Sequence, residues 1–335
     1  MESNSTSKKI LSLVLLIGGI VLLIVSIALD IMGSRAFYRG PVLVIGLLAF
    51  LAGLYFFPTL THHRDIINFL FVFPLLFTFA VTVIIPLCLG IFYSMTDWNG
   101  VQYTQFLGLG NYAAMFKETS FLWSLIITIL FVIFNMILVN VVGFCLALLC
   151  TSRLKGIGFF RAAYFLPNLI GGIVLGYVWQ FVFNNVLLQF TGNISLLSNT
   201  PTAFASIIVV YIWQYAGYIM LIYVNGLVTV PGDVIEAAAI DGSNAFSTLI
   251  RIKIPMIAST ITICTFLTLT SAFKQFDVNM ALTNGTQMLA LNIYNTAISK
   301  NSYALGQAKA VLFFIILACV SLIQVRISNS KEVEM

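Results

Sequence analysis

The chain alternates between long apolar runs and short polar segments. The apolar runs are roughly twenty residues long, which is the length that an α-helix needs to cross a bilayer. We place eight predicted spans at residues 10–29, 41–58, 67–92, 121–150, 162–183, 204–229, 256–276 and 304–325. The third contains two prolines, Pro74 and Pro86, so we expect an interrupted helix there. This pattern predicts an all-α polytopic membrane protein with about eight transmembrane helices.

Composition agrees with a membrane protein and leaves little room for catalysis. The 335 residues are 60% hydrophobic and 8% charged, whereas a soluble globular protein carries roughly a quarter charged residues. All five cysteines lie in apolar runs, and the only histidines, His62 and His63, are adjacent. The sequence has no phosphate-binding loop, no zinc-protease motif and no nucleophile elbow. We therefore predict no catalytic residues, no metal site and no cofactor on this chain.

The distribution of basic residues predicts the orientation of the spans. With the N-terminus inside, ten of the sixteen Lys and Arg residues fall in inner segments and six in outer ones. This bias follows the rule that basic residues accumulate on the cytoplasmic side. It places both termini and the segment 230–255 on the cytoplasmic side of the membrane. The spans themselves would contact membrane lipid. The bias also explains the net charge of +5 without a nucleic-acid partner.

The segment 230–255 is a polar island between apolar spans, so it must lie outside the hydrocarbon. Asp233 and Glu236 suit the first turn of a helix, where carboxylates meet the positive end of the helix dipole. Gly242 can adopt the left-handed conformation that ends a helix, and Ser243 suits the N-cap of a second one. The segment therefore predicts a helix–turn–helix, although an ordinary solvated loop is the alternative.

The motifs of this segment resemble a known family. Glu236-Ala237-Ala238, then Asp241-Gly242, then Ile252-x-Ile254-Pro255 are similar to the EAA loop of ABC importer permeases. In that family the loop is cytoplasmic and docks into a cleft on the ATPase subunit. The resemblance implies that the coupling residues are Glu236, Ala237, Ala238, Asp241 and Gly242. Ser243 stands where many members have Ala, and a second proline after Pro255 is absent.

Further motifs extend the resemblance over most of the chain. T-D-W-N-G at 96–100, F-x-G-L-x-N-Y at 106–112, F-R-A-A-Y-F-L-P at 160–167 and the segment 276–285 are typical of carbohydrate permeases of this type. The resemblance implies a six-span core at 65–326 that contains the coupling loop 230–255. A two-helix membrane hairpin at 1–64 precedes the core, and a cytoplasmic tail at 327–335 follows it.

Two helical stripes are candidates for lining a sugar path. The sixth predicted span carries Tyr211, Gln214, Tyr215 and Tyr218 on one face, and the seventh carries Thr268, Ser271, Ala272 and Gln275. Sugars pair their hydroxyls with amides and hydroxyls and lay their CH faces on aromatic rings. The alternatives are an interfacial aromatic belt, interhelix packing, or hydroxyls that bond to their own helix backbone. The resemblance to maltose-type permeases places every one of these residues except Gln214 at a sugar-lining position.

The resemblance also implies the function and the partners. We expect one of two membrane subunits of a binding-protein-dependent sugar importer in a bacterial cell membrane, with an oligosaccharide as the cargo. Its partners would be a second homologous permease, two ATPase subunits that carry ATP and Mg, and an extracellular sugar-binding protein. The mechanism would be alternating access driven by the ATPases. The alternative, a secondary transporter driven by an ion gradient, would normally need an ionisable residue deep in a span.

Overall fold

The computed structural model describes residues 2–31, 39–56, 64–152, 155–190, 195–282 and 285–329. Within these ranges the chain is helical or irregular, with one isolated antiparallel bridge between Thr96 and Phe106 and no β-strand. The predicted all-α fold class is confirmed. The histidine pair at 62–63 and the end of the tail at 330–335 lie outside the described residues.

The chain forms two compact units, Met1–Leu87 and Cys88–Met335. The first unit contains α1, α2 and α3, then a π-helical segment, and the boundary falls inside α4. The bounds are α1 (Glu2–Ile31), α2 (Arg39–Phe56), α3 (Arg64–Phe79), the π-helical segment (Ala80–Ile84) and α4 (Ile85–Ser94). The π-helical segment lies between Pro74 and Pro86, so the predicted interruption of the third span takes this form.

Glycines bring α1 and α2 into direct backbone contact. A Cβ on Gly19 would lie 2.6 Å from the backbone nitrogen of Phe50, and one on Gly53 would lie 2.7 Å from that of Leu16. The contacts run in opposite directions along the two helices, which are therefore antiparallel. Small residues allow helices to approach this closely inside a membrane.

The second unit contains the remaining helices. In order they are α5 (Gly110–Lys117), α6 (Thr119–Cys150), α7 (Ile157–Phe165), α8 (Gly172–Phe181), α9 (Thr200–Val228), α10 (Gly232–Ile240), α11 (Ala245–Thr248), α12 (Ile254–Met256), α13 (Ala258–Phe273), α14 (Asp277–Leu282), α15 (Leu289–Tyr294) and α16 (Tyr303–Asn329). Three π-helical segments follow α8, α11 and α15, namely Val182–Val186, Leu249–Lys253 and Asn295–Ser299. Two 3-10 turns, Leu166–Leu169 and Leu187–Gln189, complete the unit.

The described helices supply five long apolar candidates for membrane spans. They are Ile10–Ala28, Phe71–Ser94, Thr119–Cys150, Thr200–Val228 and Tyr303–Arg326. Two further candidates are bent pairs: Ile157–Leu169 with Gly172–Gln189 at 98°, and Ala245–Met256 with Ala258–Phe273 at 74°. Counting each bent pair as one span gives seven, and the shorter apolar helix Gly40–Leu54 overlaps the second predicted span, 41–58, which would make eight. The count of eight stays a prediction.

The core of the second unit is built around α6 and α9. Gly143 of α6 faces α9, where an added Cβ would lie 3.0 Å from Ile219. Gly217 lies on α9, and a Cβ there would be 1.8 Å from the carbonyl oxygen of Tyr164 at the end of α7. The rings of Phe131 and Tyr211 meet edge to face between α6 and α9, with centroids 5.1 Å apart. These contacts fix α9 against two neighbouring helices.

A buried lysine fastens α16 to the start of α6 and to α15. Lys309 is fully buried, and its ammonium forms a salt bridge with Glu118, the residue just before α6. The same nitrogen donates hydrogen bonds to Asn292 Oδ1 at 3.0 Å and to Thr296 Oγ1 at 2.7 Å. The Phe121 ring lies 5.6 Å from this nitrogen. A buried charge is tolerated only when it is paired in this way.

The loop that follows α4 is ordered by its own polar side chains. The Asp97 carboxylate accepts hydrogen bonds from the backbone nitrogens of Thr104 and Gln105 and from the Thr104 hydroxyl. These bonds lower the pKa of Asp97 from 3.8 to about 2. Trp98 stacks on Tyr93 at 4.6 Å and meets Tyr303 edge to face. The motif at 96–100 therefore has a structural role in shaping this loop.

Candidate functional site

The polar segment between α9 and α13 is a helical hairpin with a tight turn. Gly242 follows α10 with φ of +78°, as its sequence context predicts. Its N–H donates to the carbonyl of Ala239, and the N–H of Ser243 donates to that of Ala238. These two bonds form a Schellman motif, in which a left-handed glycine closes the helix. The predicted helix–turn–helix is present.

The predicted N-cap of the second helix was wrong by one residue. Asn244, rather than Ser243, caps α11, because its Oδ1 accepts a hydrogen bond of 2.8 Å from the Ser247 backbone nitrogen. The Ser243 hydroxyl instead lies 3.1 Å from that of Thr248. The side chains of Ser243 and Asn244 both suit an N-cap. Ser243 is part of the turn because its backbone nitrogen makes the Schellman bond, so the cap falls on the next residue.

The predicted coupling residues lie on or beside the surface of this hairpin. Glu236, Ala237, Asp241 and Gly242 are exposed, while Ala238 is buried. Two apolar side chains that the sequence analysis missed flank the turn: Ile240 is 86% exposed and Phe246 is 70% exposed. Their signal in the sequence was a bulky apolar residue on each side of a polar turn, within a segment that the charge bias places outside the hydrocarbon.

The stripe on α9 is partly enclosed. Tyr211 is fully buried and stacks on the half-buried Tyr215, with ring centroids 4.4 Å apart. The hydroxyl of Tyr211 has no hydrogen-bond partner among the described residues. Gln214 is buried, and its amide nitrogen donates to the carbonyl of Ile170, at the break before α8, at 3.4 Å. Tyr218 is half-buried one turn further along.

The stripe on α13 shows a similar mixture of enclosed and accessible positions. Thr268 and Ala272 are buried, and Ser271 is half-buried. The Thr268 hydroxyl donates to the carbonyl of Cys264 at 2.8 Å, which is the back-bonding that the sequence left open as an alternative. Gln275 lies just beyond α13 and is buried, and its amide nitrogen has no partner within the described part of the chain.

The structure brings the two stripes together at Tyr215 and Ser271, whose hydroxyls interact across α9 and α13. A second link was not predicted. The Tyr223 hydroxyl donates to Asn140 Oδ1 at 2.9 Å, and Asn140 Nδ2 lies 3.3 Å from the Thr268 hydroxyl. Asn140 is on α6, so this chain of polar groups ties three helices together. Predicting it would have required knowing that α6 packs against both α9 and α13.

Asn135 adds another polar group to the same region. It lies five residues before Asn140 on α6 and is fully buried. Its amide nitrogen donates to the carbonyl of Phe131, whereas its Oδ1 has no partner among the described residues. The residues that the structure describes contain no group of three or more His, Cys, Asp or Glu side chains that could hold a metal ion. The region between the stripes therefore offers aromatic, amide and hydroxyl groups.

Comparison with known proteins places the chain in a family. Residues 109–332 match the family described as the binding-protein-dependent transport system inner membrane component. That match covers about two thirds of the chain. The chain belongs to this family. The predicted resemblance to ABC importer permeases is thereby confirmed, and the permease is a multi-pass inner-membrane protein.

Relatives of this permease include named sugar-transport components. It is 41% identical over 277 residues to the probable starch degradation products transport system permease protein AmyD of Thermoanaerobacterium thermosulfurigenes, covering 79% of this chain and 95% of that protein. It is 30% identical over 262 residues to the multiple sugar-binding transport system permease protein MsmF of Streptococcus mutans, covering 74% and 90%.

A solved structure has the same fold. The permease superposes with a TM-score of 0.69 on a chain of a bacterial ABC transporter involved in the import of the acidic polysaccharide alginate. The match covers 80% of this chain and 96% of that one at 17% sequence identity, so it supports the fold alone.

Proposed function

We propose that this permease is one of two membrane subunits of an ATP-driven importer that carries an oligosaccharide into the cell. The observation that supports the cargo best is its 41% identity to a permease named for starch degradation products, over nearly the whole of that protein. In this proposal the second subunit is a homologous permease, two ATPase chains bind ATP and Mg, and an external sugar-binding protein delivers the cargo. Both termini of the permease are cytoplasmic.

The proposed sugar path lies between α9 and α13. Tyr215, Tyr218 and Ser271 keep accessible surface there, and they offer ring faces and hydroxyls of the kind that bind sugars. Tyr211, Gln214, Thr268, Ala272 and Gln275 lie behind or beside them. A buried polar atom without a partner costs about 1–3 kcal/mol. The free groups of Tyr211 and Gln275 therefore favour a conformation in which they face water or sugar.

The proposed coupling surface is the hairpin of α10 and α11. The exposed Glu236, Ala237, Asp241 and Gly242 would meet the ATPase, with Ala238 supporting them from beneath. Ile240 and Phe246 would extend this surface as apolar contacts, because docking of a partner would remove both exposed side chains from water. Closure of the ATPase pair would move this hairpin and, through it, α9 and α13.

Reconstitution tests the proposal. The permease is assembled with its second permease, ATPases and binding protein in liposomes, and uptake of a panel of labelled oligosaccharides is measured with and without internal ATP. We expect ATP-dependent uptake that requires the binding protein. Uptake driven by a proton or sodium gradient without ATP would overturn the proposal, and membership in the binding-protein-dependent family gives that alternative no support.

A further inference from the structure

A polar cavity of about 380 Å³ lies where the end of α8, the start of α9 and the end of α14 meet. Its volume is within the range of roughly 300–1,000 Å³ that small-molecule sites occupy. The polar side chains that line it are amides and hydroxyls without a charge, namely Gln180, Asn184, Ser195, Ser198, Asn199 and Thr200. The sequence analysis assigned none of them a role.

Most of these side chains are free to bind a ligand. Within the described part of the chain, the side chains of Gln180, Ser198, Asn199 and Thr200 form no hydrogen bond. Asn199 is the N-cap residue of α9, yet its side chain does not cap the helix. An asparagine at this position ordinarily accepts a hydrogen bond from the first turn. Asn199 lines the cavity and is exposed, so its amide is accessible to a ligand there.

The remaining walls give the cavity shape and an apolar floor. Asn184 belongs to the π-helical segment Val182–Val186 and accepts a hydrogen bond of 2.5 Å from the Ser195 hydroxyl. Such π-helical insertions occur often at functional sites, because the extra residue redirects a side chain. Ala203 and Leu282 are buried and form apolar wall. Uncharged amides and hydroxyls next to small apolar surfaces match a neutral carbohydrate better than an ion.

The cavity lies along the same face of α9 as part of the proposed sugar path. Ala203 and Gln214 are eleven residues apart, which on an α-helix is about 20° in angle and about 16 Å in height. The cavity wall and Gln214 therefore share one face. On the other wall, α14 begins two residues after Gln275. On α9 the fully buried Ile207, Val210 and Tyr211 lie between the cavity and Gln214, so the cavity and the stripes would join only when α9 and α13 separate during transport.

We propose that this cavity is a second carbohydrate subsite, which holds the far end of an oligosaccharide whose near end lies between α9 and α13. The inference rests on the proposed function and adds that the permease itself selects for sugar length. A disaccharide would occupy the inner stripes alone, whereas a longer chain would reach the cavity and gain its hydrogen bonds.

The test compares a short and a long sugar in the reconstituted complex with binding protein present. The probes are labelled maltose and maltoheptaose, and the variants are Gln180→Ala and Asn199→Ala. We expect each variant to lower maltoheptaose uptake about five-fold, the effect of one lost hydrogen bond, and to leave maltose uptake unchanged. Asn185→Ala is the matched control, because Asn185 neighbours Asn184 but bonds the carbonyl of Phe181 in its own helix.

The outcomes separate this inference from the function on which it rests. The subsite would be overturned if both variants took up both sugars at the wild-type rate. It would also be overturned if each variant lost uptake of both sugars equally, because that result would indicate a role in docking or folding. Copurification of the partners with each variant identifies a folding defect directly. A wild-type complex that takes up neither these probes nor any oligosaccharide of the panel would overturn the proposed function, and the subsite with it.

Discussion

Lys309 and Glu118 are 191 residues apart in sequence, yet they form a salt bridge at the junction of α16 and α6. The lysine is fully buried and the carboxylate is partly exposed. Glu118 also lies 3.8 Å from the exposed Lys300. One carboxylate therefore joins a buried cation to a surface cation, and the two pairs should contribute very differently to stability.

We expect Glu118→Gln to lower the stability of the assembled complex by about 1–3 kcal/mol, because it leaves the buried Lys309 ammonium without its counter-charge. Lys300→Met is the matched control and should cost less than about 1 kcal/mol, as exposed pairs do. Adding Lys309→Met to Glu118→Gln should recover stability, since the double variant buries no unpaired charge. Thermal unfolding in detergent measures all three, and equal midpoints for Glu118→Gln and Lys300→Met would contradict the ranking.

Tyr215→Ala and Gln275→Ala should each impair sugar uptake while the complex still assembles. The first removes a ring face and the contact with Ser271. The second removes an amide whose nitrogen has no partner among the residues that the structure describes. We expect roughly five-fold or larger losses of uptake. Val209→Ala, an exposed position on the same helix, is the control. Normal uptake in both variants would mean that the stripes only pack helices.

Gly242→Asp should abolish the stimulation of ATP hydrolysis by sugar in the assembled complex. The positive φ costs a side chain roughly 1 kcal/mol or more, and the added carboxylate would hold the turn away from its partner. Gly242→Ala separates the two effects, since an added Cβ meets no atom within 4 Å. It should retain part of the stimulation.

The control for this turn is Gly232→Ala at the start of α10, where an added Cβ is also unobstructed and φ is not positive. Copurification of the ATPase shows whether docking or transmission is lost. An intact Gly242→Asp complex with normal stimulated hydrolysis would remove the coupling role from this turn.

The loop that follows α4 should lose order in acid. Since the pKa of Asp97 is about 2 in the folded loop and 3.8 when free, its carboxylate stabilises the loop fully above about pH 4. That contribution is lost as the pH falls from about 4 to 2. The fluorescence of Trp98, isolated by difference from Trp98→Phe, should report the change. Asp97→Asn should weaken the pH dependence of this fluorescence, whereas the control Asp241→Asn should not. A pH profile of Asp97→Asn identical to that of the wild type would show that Asp97 is not the group responsible.

Local chemistry made the hairpin of α10 and α11 predictable from the sequence. The conformation of Gly242 follows from its place after a short helix, and neither the turn nor α10 needs a distant partner. The choice between Ser243 and Asn244 as N-cap was missed because both side chains suit the position. It depends on which backbone nitrogen the Schellman motif already uses.

The features that depend on distant contacts were not predictable in this way. Lys309 lies within the predicted span 304–325, and nothing nearby in the sequence indicated Glu118, Asn292 or Thr296 as partners. The break at Ile170 that receives the Gln214 amide was likewise missed, because the span 162–183 was drawn on hydrophobicity alone, although Pro167, Gly171 and Gly172 beside Ile170 favour a break. Periodicity identified the two stripes, but it could not show which of their side chains would be enclosed.

The turn at Gly242 has a consequence for how such a transporter can diverge. Its shape is fixed by backbone hydrogen bonds from Gly242 and Ser243 and by the Asn244 cap, not by the side chains on its outer surface. Ile240, Asp241 and Phe246 can therefore be exchanged without changing the path of the backbone. Under the proposed coupling role, substitution of these contact residues would fit the permease to a different ATPase, while the backbone of the turn would keep its path.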